Sequence, residues 1–162
     1  MPGGRLQLRP VTAADAGTLF EWVNDAQVRA QSFVGAPVSW PEHVAWLESK
    51  LASPADAWLW MAETAEGAAL GQIRFEGEGS QAVMSFSVAP AFRRQGHGAL
   101  LVAAGCRSLF AASSLAEVVA YVKPDNLASQ RTLARAGLLP GDLASRRGQP
   151  AQVWTQTRGG QP

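Results

Sequence analysis

The stretch Val88-Ala89-Pro90-Ala91-Phe92-Arg93-Arg94-Gln95-Gly96-His97-Gly98-Ala99 constrains the fold more than any other part of this chain. An alternating run ends at Val88, two arginines precede two glycines, and an alanine-rich apolar run begins at Ala99. The order is strand, loop, helix. A helix N-terminus leaves N–H groups free and carries partial positive charge, so it attracts phosphate. Gly96 and Gly98 let a ligand approach the main chain, and successive N–H groups in such a turn form an anion nest. Arg93 and Arg94 add charge beside it. Two other phosphate loops are excluded. A Walker loop needs Gly-Lys, which occurs nowhere, and a dinucleotide fingerprint needs Gly at position 101, which is Leu.

Turn chemistry organises the residues on either side. Leu6 and Leu8 alternate with Gln7 and Arg9 as a short first strand, and Thr12 with Asp15 is a helix start like a capping box. Leu19, Phe20 and Val23 suit one helical face ending near Asn24-Asp25, and a short helix carries Val28 and Arg29. Ser39-Trp40-Pro41-Glu42 predicts a helix to about Leu51 that buries Val44, Trp46 and Leu47. Residues 57–63, 70–76 and 82–88 read as three strands joined by glycine turns, an antiparallel meander. After the loop come a helix over 99–112, a strand over 116–122, a helix over 126–136, and strands near 138–143 and 152–157. The fold class is mixed α/β (α+β): a mostly antiparallel sheet of about seven strands with about four helices.

The 162 residues suit one domain, 1–162, and a 47% hydrophobic composition supports its core. A net charge of +1 without basic runs argues against nucleic acid and membrane surfaces as partners. The apolar run over 99–112 is too short and too polar for a bilayer, and residues 1–5 lack a signal peptide's apolar centre. One cysteine, Cys106, allows no internal disulfide, and a cytoplasmic location is expected. Two scattered histidines and that cysteine make no metal site.

Arg93-x-x-Gly96-x-Gly98 resembles the Gln/Arg-x-x-Gly-x-Gly/Ala loop with which enzymes of the GNAT superfamily hold the pyrophosphate of coenzyme A. Val122-Lys123-Pro124-Asp125-Asn126-Leu127-Ala128-Ser129, then Leu133 and Ala136-Gly137-Leu138, is similar to that family's second motif, and the two together span roughly residues 70 to 140. The resemblance implies a GNAT fold, acetyl-CoA as cofactor and N-acetyltransferase activity. Backbone amides from Gln95 through His97 to Ala99 would hold the pyrophosphate, with Arg93 and Arg94 beside it. The strand ending at Val88 would pair with the pantetheine arm as an added strand does. Asn126 would orient the cofactor's reactive end, and the sheet would splay between residues 85–88 and 119–122 to admit the acetyl group. One departure stands out: many members place a Tyr seven residues after the Asn to protonate the departing thiolate, and here that residue is Leu133. Ser129 is the substitute, at the position used by relatives that acetylate ribosomal-protein N-termini; the other reading makes it a helix-start residue bonded to its own backbone.

Amine attack on a thioester needs a neutral amine, donors for the developing oxyanion, and a proton for sulfur. Glu76, His43, Glu21 and His97 are the candidate bases, with Glu76 beside the expected gap. Trp22-Val23-Asn24 with Arg29, then Trp40, His43 and Trp46, resembles the front of nucleotide-amino-sugar N-acetyltransferases such as those of pseudaminic acid synthesis. Asn24, Arg29, His43 and Trp46 would then line the acceptor site, or the tryptophans are core residues at helical spacing. The expected partner is a small-molecule amine. A protein N-terminus is the rival acceptor, and a non-catalytic acyl-CoA-binding module the rival class. A homodimer is the oligomer that exposed sheet edges would allow.

Overall fold

A computed structural model describes residues 5–159; what the sequence leads one to expect of residues 1–4 and 160–162 lies outside them. The chain begins with β1 (Gln7–Pro10), then α1 (Ala16–Val23), α2 (Ala26–Gln31) and α3 (Trp40–Leu51). A meander follows: β2 (Ala57–Glu63), β3 (Ala69–Glu78) and β4 (Gln81–Val88). The second half comprises α4 (His97–Ala112), β5 (Glu117–Val122), α5 (Leu127–Arg135), β6 (Leu139–Arg146) and β7 (Gln149–Thr157). All seven strands form one sheet in the order β1-β2-β3-β4-β5-β7-β6. Every neighbouring pair is antiparallel except β4 and β5, the crossover through α4.

Sheet alternation creates two faces. Ile73 and Phe75 of β3 are fully buried beneath α4 and α5, together with Leu101, Leu109 and Leu133. A smaller core of Leu19, Trp22, Leu47, Leu59 and Met61 seals α1 and α3 to the other face. Gln72, Arg74 and Glu76 therefore point to the second face, between the front helices and the rest of the sheet. α4 seats closely on β3 because Gly105 has no side chain: a Cβ there would lie 2.5 Å from Ile73 Cδ1.

The expected strands and helices are all present, with differences of local origin. The helices number five rather than about four, because α2 is separate, started by the Asp25 carboxylate accepting from the N–H groups of Gln27 and Val28. α3 buries His43 and Leu47, while Val44 and Trp46, expected in the core, are half-buried. α4 starts at His97 rather than Ala99, since Gly96 takes a left-handed conformation (φ 81°) as its N-cap. The last two strands are longer than expected because Arg147-Gly148, with φ of 51° and 77°, makes a tight hairpin. Among the described residues no helix is long and apolar enough to cross a membrane, and no cluster of residues suits a metal ion.

Candidate active site

β4 and β5 pair only from Gln81↔Glu117 to Val83↔Val119. Beyond that point they part, so the β4 edge facing β5 has no strand partner out to Val88. The splay expected between residues 85–88 and 119–122 is present. It opens into a cavity of about 1290 Å³ that runs from the glycine loop, between the two strands, to the front helices.

At the loop end, Arg94 and Gly96 both have positive φ, 62° and 81°. This bend turns the chain into the free N-terminus of a 16-residue helix. Gly98 faces Thr132 of α5, and a Cβ there would come within 3.1 Å of Thr132 Cγ2. The His97 ring stands edge-on to Phe92 with centroids 5.7 Å apart. Its Nδ1 is buried without a hydrogen-bond partner. A free helix end, a left-handed turn and an orphaned ring nitrogen together fit a phosphate-bearing ligand.

The two arginines of the loop differ. Arg93 binds Asp25 (Nη2 to Oδ2, 2.8 Å), Gln27 (3.3 Å) and the Val88 carbonyl (3.2 Å), tying the loop to α2. The guanidinium holds the Asp25 carboxyl below the usual carboxylate range. Arg94 is exposed, and no hydrogen bond from it is seen among the described residues. Gln95 reaches back to the Ala91 carbonyl (3.2 Å).

Asn126 caps α5. Its Oδ1 accepts from the Ser129 N–H (3.2 Å) and its Nδ2 donates to Ser129 Oγ (3.0 Å). Ser129 is half-buried on the cavity wall with its own hydroxyl proton still to donate. Its N–H and Oγ are both bonded to the Asn126 side chain, so Ser129 is part of the N-terminal cap of α5 as well as of the cavity wall. Leu133 is fully buried in the core. Tyr121 lines the cavity from β5, with the Arg146 guanidinium 4.4 Å above its ring.

The acceptor half comes from α1–α3 and β3. Asn24 exchanges two 2.8 Å bonds with the Val38 main chain. Arg29 donates to the carbonyls of Val23 (2.7 Å), Val34 (2.7 Å) and Ala36 (3.0 Å) and to Ser32 Oγ (3.0 Å). Both residues therefore fasten the segment between α2 and α3 over the cavity. His43 is 3% exposed, and its Nε2 lies 3.0 Å from the Ala16 carbonyl, which makes Nε2 the protonated nitrogen. Burial, chiefly, pushes its pKa down. Trp46 stacks on His43 (5.9 Å), and the Arg74 guanidinium lies 5.0 Å over the Trp46 ring. Glu76 is on the same face of β3, ion-paired with Lys50. Of the front tryptophans, Trp22 is core and Trp40 is exposed.

Arg74 and Tyr121 were not singled out as site residues from the sequence. The period of two that places Ile73 and Phe75 in the core was the available signal for Arg74. Nothing local marks Tyr121, because its exposure depends on where β4 and β5 part.

The profile of the acetyltransferase (GNAT) domain family matches residues 5–139, and the chain belongs to that family. It is an acetyl-CoA-dependent N-acetyltransferase. The fold is similar to that of aminoglycoside acetyltransferase AAC(6')-Ib in complex with coenzyme A, with TM-score 0.82 and 22% identity over 96% of each chain. Spermidine N-acetyltransferase from Vibrio cholerae in complex with CoA and spermine is also similar, with TM-score 0.82 and 15% identity over 96% of each chain. A third likeness is to RimL, a ribosomal L7/L12 alpha-N-protein acetyltransferase in complex with coenzyme A, with TM-score 0.79 and 15% identity over 94% of this chain and 93% of that one. No curated protein matches in sequence.

Proposed function

We propose that the protein acetylates a primary amine on a small molecule, with the transfer taking place where β4 and β5 part. One observation carries this reading: a single cavity joins the phosphate-type loop to the front helices through the splayed strands. The amides at Gln95–Ala99, including His97 and Gly98, would hold the pyrophosphate, and the free edge of β4 up to Val88 would hold the pantetheine arm. Arg94 would provide the charge there, since Arg93 is engaged with Asp25. Bound in this way, acetyl-CoA supplies an activated acetyl thioester.

The remaining steps fall to this chain's own residues. Ser129 donates its hydroxyl proton toward the departing sulfur, oriented by the Asn126 amide that already bonds its oxygen. Glu76 takes up the amine's proton, directly or through water; Lys50 fixes its position. Asn24 and Arg29 shape the acceptor end by holding its roof, while Trp46, in contact with His43 and Arg74, forms part of its wall. A nucleotide-linked amino sugar is the acceptor suggested by the front of the sequence, as an aromatic and basic wall suits a base and its phosphates. A cytoplasmic location goes with this reading, because a chain with one cysteine needs no oxidising compartment.

The test is acetyl transfer to a panel of amines, nucleotide amino sugars first, by wild type and Ser129→Ala. The variant should keep its affinity for acetyl-CoA and lose about 10²-fold or more in turnover. Equal turnover would remove Ser129 from the chemistry, and no transfer to any amine would leave a binding module.

A further inference from the structure

Arg74 faces the cavity from β3, and its environment is unusual for an arginine. Its Nε is buried without an acceptor, and the guanidinium makes no hydrogen bond among the described residues. Glu76 Oε2 is 3.9 Å from that Nε, beyond hydrogen-bond reach, and the Glu76 carboxylate is already paired with Lys50. The guanidinium lies over Trp46, whose ring is itself stacked on His43, a cation–π contact that positions it. In the ladder Arg74 stands opposite Ser85, two residues beyond Val83, where β4 leaves β5. A fork of unused donors is thus fixed at the point where the sheet opens.

Apart from Glu76, most of the charge lining the cavity has the same sign as Arg74. Seven arginines and three carboxylates line the cavity. Arg29, close enough to act on Arg74 through its charge, has only neutral oxygens as partners. A half-buried guanidinium whose nearest acid lies beyond hydrogen-bond reach and is shared with Lys50 keeps its donors free for a ligand. The guanidinium fork matches a carboxylate or a phosphate through two parallel bonds. A polycationic amine would meet repulsion in the same place.

Resting on the acetyl-transfer reading of this cavity, we propose that Arg74 selects the acceptor: it binds an oxyanion, carboxylate or phosphate, carried by the amine substrate, and turns the site away from polyamines. The acceptor class is therefore an anionic primary amine. Arg74 sets specificity and takes no part in moving protons.

Binding measured calorimetrically with CoA at saturation tests this without requiring turnover. The probes are two matched pairs, glucosamine 6-phosphate with glucosamine and phenylalanine with phenylalaninamide, plus spermidine. At least one anionic member should bind about tenfold or more tighter than its counterpart and than spermidine. Arg74→Gln should abolish that preference and Arg74→Lys should retain part of it, with CoA affinity alike in all three proteins, which also shows that the variants fold. The responding pair distinguishes phosphate from carboxylate. Spermidine binding tightest, neither pair showing a preference, or a preference that survives Arg74→Gln would each overturn the proposal. A wild-type protein that fails to bind CoA would instead overturn the acetyl-transfer reading beneath it.

Discussion

His43 shows how one buried group ties the front helices to pH. Its Nε2–H donates to the Ala16 carbonyl, joining α3 to α1, and burial disfavours its cation. In the unfolded chain a histidine titrates near about 6.5. Below that value the unfolded state takes up a proton that the folded state refuses, so stability should fall as pH drops, by at most about 1.4 kcal/mol per pH unit, until the folded His43 itself titrates. Thermal unfolding between about pH 7 and 5 should show this loss, and His43→Gln, which keeps a donor toward Ala16, should flatten it. An equally steep loss in the variant would assign the effect elsewhere. Asp15, held low mainly by its bond to Arg9, and Asp25, held low mainly by Arg93, act in the same direction at lower pH. Their contributions are present above the ordinary aspartate value and disappear as the pH falls through their depressed values. Cys106 plays no such part: burial pushes its thiol up to about 12.

At the scale of elements, α4 is the positioning device. Its C-terminal half is set by Gly105 against Ile73, its first turn by Gly98 against Thr132. Gly98→Ala should crowd the Thr132 methyl, shift the first turn and weaken acetyl-CoA binding; adding Thr132→Ser removes that methyl and should restore affinity. A double-mutant cycle measures the coupling, and additive losses would show that the contact does not place the loop. The strands, α3 and α4 were legible in the sequence because alternation, the Ser39 cap and the glycine loop are local signals. The opening between β4 and β5 was legible only through resemblance. The acceptor end was least legible. Asn24 and Arg29 were read as ligand contacts, yet their hydrogen bonds go to carbonyls and amides of the segment between α2 and α3, which no local pattern reveals. Arg93, expected near the phosphates, lines the cavity, and its bond to Asp25 was hidden for the same reason: that partner lies far away in the sequence.

At the scale of the whole molecule, a ligand in the cavity bridges both halves of the chain. The loop and α5 come from the second half, and the roof over the cavity comes from the first, tied across by Arg93 to Asp25 (2.8 Å), Lys123 to the Ala30 carbonyl (3.0 Å) and Gln149 to the Phe33 carbonyl (2.7 Å). A ligand lying along the cavity should therefore stabilise the fold as a unit. Thermal unfolding with and without acetyl-CoA, with ATP and NAD as phosphate-bearing controls, is the most direct test. At ~100 times its dissociation constant acetyl-CoA should add about 2.7 kcal/mol, and each kcal/mol should raise the midpoint by roughly 2–4 °C. A single transition displaced upward by acetyl-CoA, and not by ATP or NAD, is the expected result. An unmoved midpoint at saturating acetyl-CoA, or an equal shift with ATP, would contradict the assignment of the splayed cavity to acetyl transfer.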